Sequence, residues 1–233
     1  GIIAYLITSK YFKRSIPESI IWALTVALSN HVTLLLPITE IYFQQNVITQ
    51  VATIILMDGV ILLSIIAFFL ELSTKKNLKL FTFTKNLILN PFILSIIIGF
   101  LFLLFNLNIN QTPVDYTLSK LAACVSPVGL FAIGIILSFY TKNVINKLSV
   151  SISLLKLIIS PIILLLIGLV FFNAGLPAEI PGAFFVSVAP CGVTSIVLCA
   201  AYNVSPENII KAIFVSTIAS IGTIFFAIQY LTL

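Results

Sequence analysis

Two short stretches gather most of the residues able to do chemistry in an otherwise apolar chain. Residues 29–37 read Ser-Asn-His-Val-Thr-Leu-Leu-Leu-Pro and supply Asn30, His31, Thr33 and Pro37. Residues 189–195 read Ala-Pro-Cys-Gly-Val-Thr-Ser and supply Pro190, Cys191, Gly192, Thr194 and Ser195. An amide, an imidazole and several hydroxyls can hydrogen-bond a small polar molecule. A proline inside a helix removes a backbone hydrogen bond and frees neighbouring polar groups. Hydrocarbon cannot satisfy such groups, so broken backbone survives at membrane depth only where protein buries it or water lines it. A half-helix N-terminus also offers partial positive charge to an anion. Two breaks meeting near the midplane would therefore form a polar patch suited to an anionic ligand.

Three ionisable residues fall inside apolar runs. Asp58 lies well within the run 48–71 and Lys156 within 148–172. A charge there is costly and marks a functional site by default. Asp58 is expected either to carry a proton or to pair with a basic group. Lys156 either snorkels to the nearby interface or serves as a cation facing a carboxylate cavity. His31 is the only histidine, a residue type able to change charge near physiological pH, and is expected to serve as a proton carrier or a neutral hydrogen-bonding residue.

No catalytic residues are expected. One histidine cannot make a His-Glu-x-x-His zinc site, and neither a Gly-x-Ser-x-Gly elbow nor a P-loop occurs. Asp58 has no intramembrane aspartate partner for an aspartyl protease. Cys124, Cys191 and Cys199 lack metal-ligand spacing, read as buried inert thiols, and no metal site is expected.

These residues must be positioned by membrane-spanning elements. The 233 residues are 60% hydrophobic and 8% charged, where soluble domains carry about 25% charged residues. Apolar runs of roughly 20 residues, enough to cross about 30 Å of hydrocarbon, recur along the chain. Runs such as 89–107 are apolar on every face, which excludes the alternating pattern of a β-barrel. The fold class is an all-α polytopic membrane protein, a single transmembrane domain over 1–233. Eight segments are expected at roughly 1–9, 16–41, 48–71, 88–106, 117–140, 148–172, 178–203 and 206–232.

The net charge of +5 comes largely from short loops, which argues for membrane orientation rather than nucleic-acid binding. Loops 10–15, 72–87, 141–147 and 204–211 hold Lys10, Lys13, Arg14, Lys75, Lys76, Lys79, Lys85, Lys142, Lys147 and Lys211. Loops 42–47, 107–116 and 173–177 hold no basic residue. Strict alternation requires that 16–41 and 178–203 each cross once. It places the basic loops in the cytoplasm and the C-terminus outside. The chain opens at Gly1 within an apolar segment, so it is expected to be part of a longer protein.

The two interrupted segments match. Both open with Ile-Pro, at Ile16-Pro17 and Ile180-Pro181, and proline suits a helix's first turn. Four segments lie between their starts, the spacing of a five-segment repeat. An odd number of spans inverts the second copy, and paired interruptions in two halves point to a transporter site.

These residues resemble the auxin efflux carrier family of permeases, within the bile-acid, arsenite and riboflavin transporter superfamily. Asn30 and Pro37 match the family's Asn-Thr-Gly-x-x-Gly-x-Pro crossover segment. Further matches are Asn90-Pro91, Ser126-Pro127 through Gly134, Leu155-Lys156-Leu157 with Ser160-Pro161, and Ala189-Pro190 leading to Ala200. The resemblance implies two inverted five-helix repeats with broken crossover helices, the first repeat incomplete here. The remainder of the first repeat would occupy 1–71 and the second 88–232. His31 replaces the family's Thr, and Val32 and Leu35 replace two glycines, which questions how tightly the breaks cross.

The resemblance further implies a secondary transporter moving a small organic anion, a mono- or dicarboxylate such as malonate or malate, by alternating access. Asn30, His31, Thr33, Pro37, Pro190, Cys191, Gly192, Thr194 and Ser195 would bind substrate, with Asp58 and Lys156 in charge or coupling roles. No resident cofactor is expected, and coupling to H+ or Na+ stays open. Besides the anion, membrane lipid is an expected partner, nucleic acid is not, and a homodimer is left open. The expected location is a bacterial plasma (inner) membrane. A sodium-coupled symporter of the bile-acid branch, a channel and a non-transporting sensor are the alternatives.

Overall fold

The computed structural model describes residues 1–74, 84, 88–89, 91–140, 144–172 and 176–232. Lys75, Lys76, Lys79, Lys85, Asn90 and Lys142 lie outside the described residues, as does much of the basic loop 72–87. The described chain is helical, and its one β-bridge pairs Ser29 with Cys191.

Among the described residues, four continuous helices are long and apolar enough to cross a membrane: Gln45–Thr74, Pro113–Ser138, Lys147–Phe172 and Glu207–Thr232. At 1.5 Å per residue, even 26 residues extend about 39 Å. Pro91–Leu104 is a shorter apolar helix. The two interrupted segments divide into pieces too short to cross alone. The first gives Ile16–Ala27, a π-turn at His31–Leu35 and Leu36–Tyr42. The second gives Pro181–Ser187 and Thr194–Ala201. Each expected segment thus has a helical counterpart, and the two expected breaks are where the helices stop.

Local sequence sets the ends. The Ser15 hydroxyl accepts from the Glu18 N–H, with Pro17 in the first turn. Thr112 caps Asp115 ahead of Pro113 in the same way. Asn146 and Ser149 form a reciprocal capping box at 2.8 and 3.1 Å. Within the spans, Thr25 and Thr39 donate to carbonyls one turn back, each at 2.8 Å, which spares the hydroxyls an unpaired burial.

Two apolar clusters flank the breaks. One joins Ile21, Trp22, Leu24 and Leu28 to Cys191 and Cys199, with Leu148, Ile152, Ile209 and Ile213 closing around them. The other joins Leu35 to Phe185, Val186, Val188 and Ala189, backed by Val47, Val51 and Ile224. The first half of one broken segment therefore packs with the second half of the other, which is the geometry of an X. None of the side chains of the Pro113–Ser138 helix is buried.

Trp22 is fully buried in the first cluster. Trp22→Ala should lower stability by about 3–5 kcal/mol, read as a fall in the melting temperature of detergent-solubilised protein. A variant as stable as its parent would mean that this half-helix does not anchor the core.

Candidate functional site

The crossing is built by backbone pairing between the two breaks. The Asn30 N–H donates to the Pro190 carbonyl at 3.0 Å, and the Gly192 N–H donates to the Thr25 carbonyl at 3.1 Å. Each break thus satisfies groups that the other's helix end leaves free. The Cys191 N–H is taken by the Ser216 hydroxyl at 3.2 Å. Approach is close enough that a Cβ on Gly192 would stand 2.5 Å from the Leu28 carbonyl oxygen. The tightness that Val32 and Leu35 put in question is supplied from the other strand, by Gly192.

The half-helices meet with opposite polarities. Ile16–Ala27 and Pro181–Ser187 point their C-terminal ends at the crossing, where carbonyls carry partial negative charge. Lys156 sits on that side. It is 2% exposed, and its Nζ donates to the Ser29 hydroxyl at 2.6 Å. Ser29 in turn donates to the Val186 carbonyl at 2.8 Å. Lys156 therefore does not snorkel; it is a tethered cation at the two C-terminal ends. Among the described residues no carboxylate pairs with it.

The N-terminal ends of His31–Leu35 and Thr194–Ala201 open instead onto a cavity of about 310 Å³. Leu28 to Thr33 and Val193, Thr194, Val197 and Leu198 contribute to its wall, with Ile55, Gly59, Leu63, Ala67 and Ile93 facing them. Neither N-terminus has a side-chain cap. Thr33 Oγ1 donates to Asn30 Oδ1, while the Asn30 amide N–H groups have no partner among the described residues. His31, 5% exposed, places Nε2 3.0 Å from Asp58 Oδ2.

Among the expected site residues, Asn30, His31, Thr33 and Thr194 line this cavity. Pro190, Cys191 and Gly192 form the buried backbone of the crossing, and Ser195 is buried with its hydroxyl on the Gly192 carbonyl at 2.8 Å. Pro37 lies beyond the cavity wall, in the first turn of Leu36–Tyr42. Asp58 is placed with His31, and Lys156 behind Ser29.

Ser29 was the residue sequence reasoning passed over: it is a small hydroxyl beside more conspicuous neighbours. Its one signal was adjacency to Asn30. Ser126 is another, since its Oγ donates to the Thr33 carbonyl at 2.6 Å and joins the Pro113–Ser138 helix to the break. His31, Asp58 and Lys156 all fall in π-turns, at His31–Leu35, Asp58–Leu62 and Leu155–Ile159. Such turns re-aim side chains and recur at functional sites.

The model of the family described as "Membrane transport protein" matches residues 1–228. The chain belongs to that family. The resemblance carried by Asn30, Pro37 and the later motifs is to this family, and the protein is an integral membrane transport protein. No curated protein matches the chain.

Removing one partner of a buried charge costs more than replacing the charge by an apolar group of similar shape. Ser29→Ala leaves the Lys156 ammonium buried without its acceptor and should cost about 1–3 kcal/mol or more. Lys156→Met should be less damaging to thermal stability in detergent. The reverse order would show that Ser29 does not hold the ammonium.

Proposed function

We propose that this membrane transport protein is a secondary transporter that carries a small organic anion, a mono- or dicarboxylate of the size of malonate or malate, by alternating access. The observation that carries this reading is the single cavity shared by two uncapped half-helix N-termini. Their first-turn N–H groups, the Asn30 amide N–H groups and the Thr194 hydroxyl offer donors to a carboxylate. About 310 Å³ falls at the small end of ligand pockets. Apart from Ser29, Thr33 and His31 the rest of the wall is apolar, which suits a short carbon chain between or beside carboxylates.

In this reading the two crossed segments belong to inverted repeats and move as a unit with Lys156 against the Pro113–Ser138 helix. The weak burial of that helix supports a sliding surface, and Ser126 and Gly129 are its contacts with Thr33. The protein would lie in a bacterial plasma membrane with its basic loops cytoplasmic.

The test is uptake of labelled malonate, malate, succinate and an indole acid by full-length protein in proteoliposomes. Saturable uptake and counterflow of at least one acid are expected. Asn30→Ala should weaken apparent affinity about tenfold to a hundredfold, the loss of a hydrogen bond to a charged group. Conductance without counterflow would instead identify a channel, and binding without flux a sensor.

A further inference from the structure

We infer that His31 and Asp58 form the proton-carrying element of the site, so that the anion and one proton cross together. The inference rests on the transport reading above and adds the coupling ion. Its first support is placement. His31 is at the same time the opening residue of a half-helix, part of the cavity wall and the partner of Asp58 at 3.0 Å. Asp58 opens the facing π-turn, and its neighbour Gly59 also lines the cavity. Its side chain remains 23% exposed, while that of His31 is 6% exposed.

The second support is charge. With a neutral imidazole the pair carries one negative charge beside the cavity. A carboxylate entering such a site meets that charge through a medium that screens it poorly. One added proton turns the pair into imidazolium and carboxylate, with no net charge, and removes the conflict. Proton and anion then favour each other's binding, and the coupling is reciprocal. The chemistry needs no other reactant. An ionised Asp58 accepts from Nε2–H, so Nδ1 is the nitrogen that takes up the proton on one side and releases it on the other.

Other groups do not substitute for the pair. Lys156 is held on Ser29 and does not line the cavity. On the elements packed against His31 and Asp58, Glu40 and Tyr42 stand at the end of Leu36–Tyr42, and Glu71 at the end of Leu63–Thr74. Asp115, Tyr116 and Lys120 occupy the first two turns of Pro113–Ser138, and Cys124 on that helix is exposed. Gln45–Met57 and Pro91–Leu104 bring no titratable side chain.

The test uses full-length protein in proteoliposomes, with malate as the probe and a pH dye in the lumen. Wild-type apparent affinity should weaken about tenfold from pH 7 to pH 8, the slope for one linked proton, and malate entry should acidify the lumen. Asp58→Asn and His31→Gln should each flatten that pH profile and abolish acidification. A slope that persists in both variants would assign the proton to malate itself or to Lys156 and overturn the inference. Saturable wild-type uptake that is indifferent to pH would overturn it too, while leaving the transport reading intact. Absence of flux for every acid tested would remove both.

Discussion

The arrangement depends on one constraint: two helices that stop inside hydrocarbon must satisfy each other's free backbone groups. The Asn30–Pro190 and Gly192–Thr25 hydrogen bonds do this, with Ser29 and Cys191 paired between them. Neither break could stand alone, because an unpaired N–H or C=O in lipid costs several kcal/mol. Gly192 makes the contact possible, since a side chain there would collide with the Leu28 carbonyl. The X-shaped division of the apolar core into two clusters follows from the same contact.

Once the segments cross, helix polarity sorts the charges. The two C-terminal ends converge where Lys156 is held through Ser29 and Val186. The two N-terminal ends converge on the cavity, where they leave partial positive charge. A buried lysine and a cavity faced by two helix N-termini are thus two consequences of one geometry. The cation is built into the chain on one side, and the positive helix ends are left open on the other.

His31 and Asp58 modify this scheme. They are 27 residues apart in the chain, on different segments, yet meet at the cavity wall. The pair sets an imidazole and a carboxylate side by side in a site otherwise lined by helix ends and apolar side chains. The π-turns that carry His31, Asp58 and Lys156 each add a residue to a helical turn, a local freedom that a regular helix lacks.

Much of this was legible in the residues. Apolar run lengths fixed the helical membrane class, because hydrocarbon thickness sets span length. Pro17 and Pro181 marked helix starts, and Asn30 with Pro37 and Pro190 with Gly192 marked the breaks, because these residues act on their own backbone. Tertiary structure alone decided what depends on distant partners. It placed Lys156 on Ser29 rather than at the interface, joined His31 to Asp58, and set Pro37, Cys191 and Ser195 away from the open cavity while keeping Asn30, Thr33 and Thr194 in its wall. Sequence spacing carries backbone preference over one or two turns. Which side chains share a cavity is settled only when two broken helices cross, and Gly192 let them cross closely where the first segment's own glycines are missing.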